Sequence, residues 1–229
     1  MAKLIFGIFA HPDDESFGPS GTLIKEINEN GTSVHLISLT AGERGSNPDN
    51  LADLGAARLK EWQKATELIG AESHHYLGYP DGGLCNDQYL AIAKKIFKII
   101  DKIIANHPNS TDIEFMTSDL NGISGHIDHI VAARIACYVF YTYKFRDARF
   151  TRIRLACQPI AHLPHDNISW LYMEAGRSES EIDETVDARE YSKKIEKVMR
   201  THHTQRQDCE SHLSRRGKNL GIEYFLVKT

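Results

Sequence analysis

The chain has 229 residues, the length of one α/β domain, and residues 1–229 are treated as a single domain. Its 27 basic and 31 acidic residues leave a net charge of −4 without a block of like charge, which argues against nucleic acid or a membrane surface as a partner. The four cysteines form no Cys-x-x-Cys pair, so they argue against a disulfide framework or a thiolate metal site, and they are interpreted as core residues: Cys85, Cys137, Cys157 and Cys209.

Targeting and membrane signals are weak in this sequence. The apolar run at residues 4–9 meets three acidic residues instead of a small-residue cleavage site, so it is not interpreted as a signal peptide. No longer apolar segment follows, which predicts a protein without a membrane span. The expected location is the cytoplasm.

Strand and helix patterns alternate through the first half of the chain. In chain order they predict a strand at residues 3–9, a helix at 20–30, a strand at 33–39, a helix at 51–69, a strand at 74–77, a helix at 86–106, a strand at 112–117 and a helix at 126–143. This βαβ rhythm predicts an α/β fold with a mostly parallel sheet and helices on both faces.

The pattern changes from about residue 144. Short strands are predicted at 152–157, 169–174 and 182–187, an amphipathic helix at 188–202 and a terminal strand at 222–227. No linker divides the chain. We expect this second part to border the binding pocket and to determine specificity.

Two clusters of polar residues follow predicted strands. His11, Asp13 and Asp14 come directly after the first strand, and the run from His126 to His129 opens a later helix. If the two strands are parallel neighbours, their carboxyl ends meet at one edge of the sheet, where ligands bind in such folds. Zinc prefers nitrogen and oxygen ligands and keeps an open position in catalytic sites. His11, Asp14 and His129 supply such a set.

The remaining residues of the two clusters suggest catalytic roles. A metal lowers the pKa of its bound water toward about 7, and Asp13 could then act as general base and later as proton donor to the leaving group. His126 lies three residues before His129, on the same face of the first helical turn, and could stabilise the developing oxyanion. Asp128 is interpreted as the residue that orients His126.

At this point the chain resembles the zinc-dependent N-acetylglucosaminyl deacetylases of the LmbE-like, phosphatidylinositol-glycan deacetylase-like family. The run His-Pro-Asp-Asp-Glu at 11–15 matches the first family motif, and His-Ile-Asp-His at 126–129 matches the second. Weaker family-like stretches occur in order at 40–45, 77–82 and 203–205. One departure is Ile127, which stands where the family usually has proline; that proline ligates nothing, so the departure affects loop stiffness.

The resemblance implies a Rossmann-like fold, a divalent metal held by His11, Asp14 and His129, and Asp13 as the base. It also implies hydrolysis of an acetamide on a small sugar or sugar conjugate, with the loops of Arg44 and Asp81 near the sugar. One Zn²⁺ per chain is expected, although the same donors accept Fe²⁺ or other divalent ions. The oligomeric state is not predicted.

Two other functions stay open at this stage. A metal-dependent amidase acting on a non-sugar N-acyl amine would use the same fold and metal site, since substrate contacts lie in variable loops. A non-catalytic sugar- or nucleotide-binding module is the other, although the sequence has neither a Gly-x-Gly-x-x-Gly turn after the first strand nor a Gly-rich phosphate loop. Glu15 is either a third catalytic acid or a structural residue.

Overall fold

The computed structural model describes residues 2–162 and 176–229, which fold around a seven-stranded sheet of order β3-β2-β1-β4-β5-β7-β6. The strands are β1 (Ala2–Phe9), β2 (Ser33–Thr40), β3 (Ser73–Tyr79), β4 (Ser110–Ser118), β5 (Phe150–Cys157), β6 (Glu184–Asp187) and β7 (Ile222–Lys228). Strands β1 to β5 run parallel to one another, and β7 runs antiparallel to both β5 and β6. The predicted mostly parallel α/β sheet is confirmed.

Helices cover both faces of this sheet. They are α1 (Asp14–Phe17), α2 (Ser20–Asn30), α3 (Leu54–Ile69), α4 (Tyr89–Asn106), α5 (Gly122–Gly125), α6 (Ile127–Lys144), α7 (Ser192–Arg200) and α8 (Arg206–Arg216). Ile5 of β1 lies in one core with residues of α2, α3 and α7, whereas Phe6 lies in a second core with residues of α4 and α6. Successive strand residues point to opposite faces, so the sheet separates the two cores. None of the described helices is both long and apolar enough to cross a membrane.

Two helices of the first half begin later in the structure than the sequence predicts. The helix predicted at 51–69 begins only at Leu54, since the carboxylate of Asp53 accepts the N–H of Ala56 at 2.9 Å and caps it. The helix predicted at 86–106 opens with a 3-10 turn and becomes α-helical at Tyr89.

The second part of the chain departs further from the prediction. The helix predicted at 188–202 is a 3-10 turn at Arg189–Tyr191 followed by α7. Helix α8 was not predicted, because Cys209 is its one buried residue and no apolar stripe marks it. The strand predicted at 182–187 starts at Glu184, and the strand predicted at 169–174 lies outside the described residues.

The interpretation of the cysteines as core residues is right for two of the four. Cys157 and Cys209 are buried, and Cys137 on α6 is partly buried. For Cys85 the interpretation is wrong: this residue is exposed in the loop between β3 and α4, where no apolar face covers it.

The strand order brings distant loops to the same edge of the sheet. Strand β1 pairs with β4 on one side, with Gly7 opposite Met116, and with β2 on the other side. The loop after β1 is also tied to β2, since the N–H of Thr40 donates to the carbonyl of Ala10 at 2.9 Å. The carboxyl ends of three parallel strands therefore meet at one edge.

Candidate metal centre

Backbone hydrogen bonds hold the first polar cluster in place immediately after β1. Oδ2 of Asp14 accepts the N–H groups of Ala10 and His11, each at 3.0 Å. This arrangement uses one carboxylate oxygen to fold the loop. The other oxygen, Oδ1, lies 3.2 Å from Nε2 of His129 on α6.

The structure brings His11, Asp14 and His129 together from the two predicted loops. Nδ1 of His11 lies 3.0 Å from Nε2 of His129, although 118 residues separate the two rings in the sequence. Oδ2 of Asp14 lies 3.9 Å from Nδ1 of His11. Two ring nitrogens and one carboxylate thus surround a single small space.

In each ring, the nitrogen that points away from the other ring has a partner that indicates which nitrogen carries the hydrogen. Nδ1 of His129 is 3.0 Å from the carbonyl oxygen of Gly122, which can only accept, so this nitrogen carries the hydrogen. Nε2 of His11 faces the carboxylates of Asp81 at 3.0 Å and Asp128 at 3.4 Å, so it carries the hydrogen there. In the neutral rings the two inner nitrogens then present lone pairs to each other at 3.0 Å. Such a pair repels unless a cation lies between the nitrogens.

The charges around the rings favour that cation. Burial by itself lowers the pKa of His11, but Asp128, Asp81 and Asp14 outweigh burial and raise it to about 10. Burial also opposes the charged form of His129, yet the neighbouring Asp14 leaves the pKa of this ring raised. A proton and a metal ion compete for the same lone pairs. The donor set, two imidazoles and a carboxylate, fits a zinc-type divalent metal.

His126 lies beside this pair as the N-terminal cap of α6. The three imidazoles of His11, His126 and His129 each offer a ring nitrogen within 4.8 Å of the others. Burial, together with the nearby rings of His129 and His11, lowers the pKa of His126. Its Nδ1 accepts the N–H of Asp128 at 3.2 Å, so the neutral ring carries its hydrogen on Nε2.

Asp13 occupies a strained position between His11 and Asp14 in the sequence. Its φ of 131° is rare for a residue with a side chain, and such strain is often found at functional sites. Oδ2 of Asp13 pairs with Nη2 of Arg58 on α3 at 2.8 Å. Burial raises the pKa of Asp13 to about 6, and Arg58 opposes the rise.

Glycines in the loop after β2 make room for this arginine. Arg58 donates from Nη1 to the carbonyl of Gly42 at 2.7 Å and from Nη2 to the carbonyl of Pro12 at 3.0 Å. A Cβ atom at Gly42 or Gly45 would collide with the guanidinium group. Gly42 also has a φ of 65°, which favours glycine.

Asp81 and Asp128 make contacts that differ from the expected ones. Asp81 is buried, with one oxygen facing His11 and the other accepting the backbone N–H of Arg44 at 2.8 Å, so it holds His11 rather than pointing to solvent. The Asp128 carboxylate accepts the N–H groups of Gly82 at 2.7 Å and Leu84 at 3.1 Å. Asp128 therefore orients His126 through its backbone N–H, while its carboxylate fixes the loop after β3.

Glu15 is enclosed on the other side of α1. It is buried, Ser16 donates to it at 2.5 Å, and Nε1 of Trp62 donates to it at 3.2 Å. Burial raises the pKa of Glu15 to about 8. His202, also buried, contacts the Ser16 hydroxyl at 2.9 Å. These contacts favour the structural interpretation of Glu15.

Comparison with known proteins identifies the family. The family model described as PIG-L, GlcNAc-PI de-N-acetylase, matches residues 6–140, which is more than half of the chain. The chain belongs to this family. The match covers both polar clusters, the second half of β1 and all of β4.

Curated relatives of this PIG-L domain include an amidase and a deacetylase. The chain is 30% identical over 155 residues to a mycothiol S-conjugate amidase of Streptomyces coelicolor, covering 59% of this chain and 51% of that protein. It is 33% identical over 151 residues to a 1D-myo-inositol 2-acetamido-2-deoxy-alpha-D-glucopyranoside deacetylase of Nocardiopsis dassonvillei, covering 58% of this chain and 53% of that protein. The chain spans about half the length of these relatives.

Solved structures agree on the fold of the PIG-L domain. An N,N'-diacetylchitobiose deacetylase from Pyrococcus horikoshii superposes with a TM-score of 0.66 at 19% identity, covering 99% of this chain and 82% of that chain. At this identity the comparison shows the α/β fold alone.

Sequence reasoning missed Arg58, the partner of Asp13. Arg58 lies in the middle of α3, 45 residues from Asp13, and belongs to no motif. One signal was available: Arg58 is spaced four residues from both Leu54 and Trp62, which are buried on the same face of the helix. An arginine on an apolar helical face indicates a buried acidic partner.

Proposed function

We propose that this PIG-L family protein is a metal-dependent hydrolase that removes the N-acetyl group from an N-acetylglucosamine-type sugar or conjugate. The observation that carries the proposal is the close approach of two ring nitrogens, Nδ1 of His11 and Nε2 of His129, which lie 3.0 Å apart beside the Asp14 carboxylate. Family membership and the names of the two curated relatives, an amidase and a deacetylase of an acetamido sugar, support hydrolysis of an amide.

His11, Asp14 and His129 would hold the metal, one ion per chain, with zinc as the first candidate and Fe²⁺ as another. When bound there, the metal supplies a Lewis acid that polarises the amide carbonyl and lowers the pKa of a coordinated water toward about 7. Asp81 and Asp128 keep the hydrogen of His11 on Nε2, which leaves Nδ1 free to bind.

Asp13 is the proposed general base. It takes a proton from the attacking water as the new C–O bond forms, and it returns a proton to the amine nitrogen as the C–N bond breaks. The products are acetate and a free amine. Arg58 holds the Asp13 carboxylate in position and keeps its charge partly compensated.

His126 is the proposed oxyanion donor. Because its Nδ1 accepts the N–H of Asp128, the neutral ring carries its hydrogen on Nε2, and this N–H would donate a hydrogen bond to the carbonyl oxygen as negative charge develops there. Its lowered pKa keeps this ring neutral at neutral pH.

Arg44 is the proposed substrate contact. Its side chain is exposed, and its backbone N–H is anchored by Asp81, which places it at the rim of the site beside Gly82. A guanidinium can donate to several sugar hydroxyl groups at once. Asp81, in contrast, is reassigned from sugar binding to the positioning of His11.

An Asp13→Asn variant tests the mechanism. We expect it to retain its zinc and to lose release of acetate and free amine from N-acetylglucosamine conjugates, because the amide side chain cannot accept the proton. Zinc content is measured by mass spectrometry, and Asp87→Asn, at an exposed position, is the control. Hydrolysis by Asp13→Asn at the wild-type rate would show that another group is the base.

A second candidate function is hydrolysis of an amide other than the acetamide of a sugar, and it is supported by a relative that is named as an amidase and not as a deacetylase. A panel of N-acetylated sugars and non-sugar N-acyl amines separates the two, with free amine as the measured product. Turnover confined to non-sugar amides would refute the sugar assignment. Tight nucleotide binding by metal-free protein without any hydrolysis would favour the non-catalytic module instead.

A further inference from the structure

A second group of potential metal ligands lies at the opposite end of the sheet. His35 is in the first half of β2, Glu72 precedes β3, and His107 follows α4. Thr40, which contacts the loop after β1, is five positions beyond His35 on β2, so this group is about 16 Å along the strand from the candidate metal centre. The two groups share no residue.

The ligand atoms of His35, Glu72 and His107 all lie within 4.8 Å of one another. Nε2 of His107 is 3.1 Å from Oε1 of Glu72, while its Nδ1 is 2.9 Å from the carbonyl oxygen of Ile103. Since that carbonyl can only accept, the hydrogen of a neutral His107 is on Nδ1. Its Nε2 lone pair then faces a carboxylate oxygen, an arrangement that requires a cation.

His35 provides an independent observation. Its side chain is only 1% exposed, and its Nδ1 contacts the Ser73 hydroxyl at 2.8 Å. Its Nε2 is buried and has no hydrogen-bond partner within the described part of the chain. The ring stacks on Phe6 and meets the edge of the His107 ring at a centroid distance of 5.5 Å. Leaving a buried ring nitrogen unsatisfied is costly unless it binds something.

We propose that His35, Glu72 and His107 form a second divalent-metal site, of the zinc type. Two imidazole nitrogens and one carboxylate oxygen are a common zinc donor set, and solvent can complete the coordination because Glu72 is exposed and His107 is half-buried. The ion links the start of β2, the segment before β3 and the end of α4. It lies too far from His11 and His129 to take part in catalysis there.

Protonation of His107 is the competing explanation, because an imidazolium pairs with Glu72 without a metal. It accounts for the 3.1 Å contact but leaves Nε2 of His35 unsatisfied. Burial lowers the pKa of His35 to about 4, so that ring is neutral at neutral pH and its lone pair can bind a metal. A metal satisfies all three residues at once.

The test counts zinc ions bound by metal-free protein, using isothermal titration with Zn²⁺ and mass spectrometry of the dialysed product. Wild type is compared with Glu72→Gln/His107→Asn, which leaves buried His35 intact. The matched control is Glu67→Gln/His74→Asn, which changes the same residue types at exposed positions nearby. Circular dichroism verifies the fold of each protein.

We expect the Glu72→Gln/His107→Asn protein to bind one zinc ion fewer than wild type and the control to bind as many as wild type. The difference of one ion is the readout, so the result does not depend on what the candidate metal centre binds. Zinc should also raise the melting temperature of wild type more than that of the double variant. Equal zinc content in wild type and double variant would overturn the proposal, and so would equal loss in the control.

Discussion

Two buried clusters of charged residues differ in how their charges are matched. The first surrounds Arg154, which is 1% exposed and pairs with Glu26 at 2.6 Å and Glu114 at 2.8 Å. Its members, three cations and three carboxylates, are Lys3, Arg152, Arg154, Glu26, Glu114 and Glu184. Each positive group has a negative neighbour, so the cluster is complete in itself.

In the candidate metal centre, by contrast, the carboxylates outnumber the cationic side chains. Its carboxylates are Asp13, Asp14, Asp81 and Asp128, and the guanidinium among them is that of Arg58. The surplus negative charge raises the pKa of His11 to about 10, although burial opposes this. A matched buried cluster stabilises a fold or specifies it, whereas an unmatched one keeps a place for a ligand of opposite charge.

The largest effect is expected from removing a metal-binding ring. His129→Ala should bind one zinc ion fewer than wild type and reduce amide hydrolysis at least about 1,000-fold, equivalent to about 4 kcal/mol in the activation barrier. Zinc content and acetate release are the measurements, and His74→Ala, at an exposed histidine, is the control. Full zinc content in His129→Ala would mean that the unmatched cluster is not the metal centre.

Breaking the matched cluster should affect stability instead of metal binding. Arg154→Met leaves Glu26 and Glu114 without their buried partner and should lower the free energy of unfolding by about 3–5 kcal/mol, with the zinc content unchanged. Urea denaturation measures the loss. Arg149→Met, which breaks an ion pair near the surface, should cost less than about 1 kcal/mol. Similar losses in the free energy of unfolding for the two variants would show that the buried ion pairs contribute no more than the surface pair.

A smaller effect is expected from Asp81→Asn, because Asp81 contacts Nε2 of His11, whereas the metal is proposed to bind Nδ1 of that ring. Loss of such a supporting carboxylate typically weakens metal binding about 10- to 100-fold. We expect hydrolysis to recover as zinc is raised to saturation, which a direct substrate-binding role for Asp81 would not allow. The zinc dissociation constant and the rate at saturating zinc are the two measurements.

The smallest effect concerns pH. Burial alone raises the pKa of Glu26, but the hydrogen bond and charge of Arg154 outweigh burial and lower it to about 2. A lowered folded-state pKa adds stability above the unfolded pKa of about 4.3, and this stability is lost as the pH falls toward 2. Glu26→Gln should therefore be less stable than wild type at pH 7, by about 1–2 kcal/mol. Between pH 4.5 and 2 its free energy of unfolding should fall less steeply than that of wild type. If the free energy of unfolding of Glu26→Gln falls with pH as steeply as that of wild type, other carboxylates cause the loss of stability in acid.

Much of the fold could be predicted because hydrophobic periodicity reports on it directly. The central strands are short continuous apolar runs, as burial on both faces of a parallel sheet requires, and the buried residues of α4 follow the 3.6-residue helical period. Helix α8 carries no such stripe, and the 3-10 turn at Arg189–Tyr191 depends on the Asp187 side chain accepting an N–H. These features depend on local polar contacts that a hydrophobic pattern does not record.

Part of the candidate site could be predicted because some of its residues lie close together in the sequence. His11 and Asp14 belong to one loop, and His126 and His129 belong to one helical turn, so motifs reveal them. The pairing of Asp13 with Arg58, and that of His11 with Asp81, joins segments that only the strand order makes adjacent. Asp81 also had a complete explanation as a turn residue, which concealed its contact with His11.

Gly42 and Gly45 link the sequence of one loop to the chemistry of another. Arg58 reaches Asp13 through space that side chains at these glycines would fill. The loop after β2, the middle of α3 and the turn after β1 are therefore constrained to change together during evolution. A designer who transplants this loop between relatives must move the arginine with it, or the transplanted loop will shift Asp13, the proposed base.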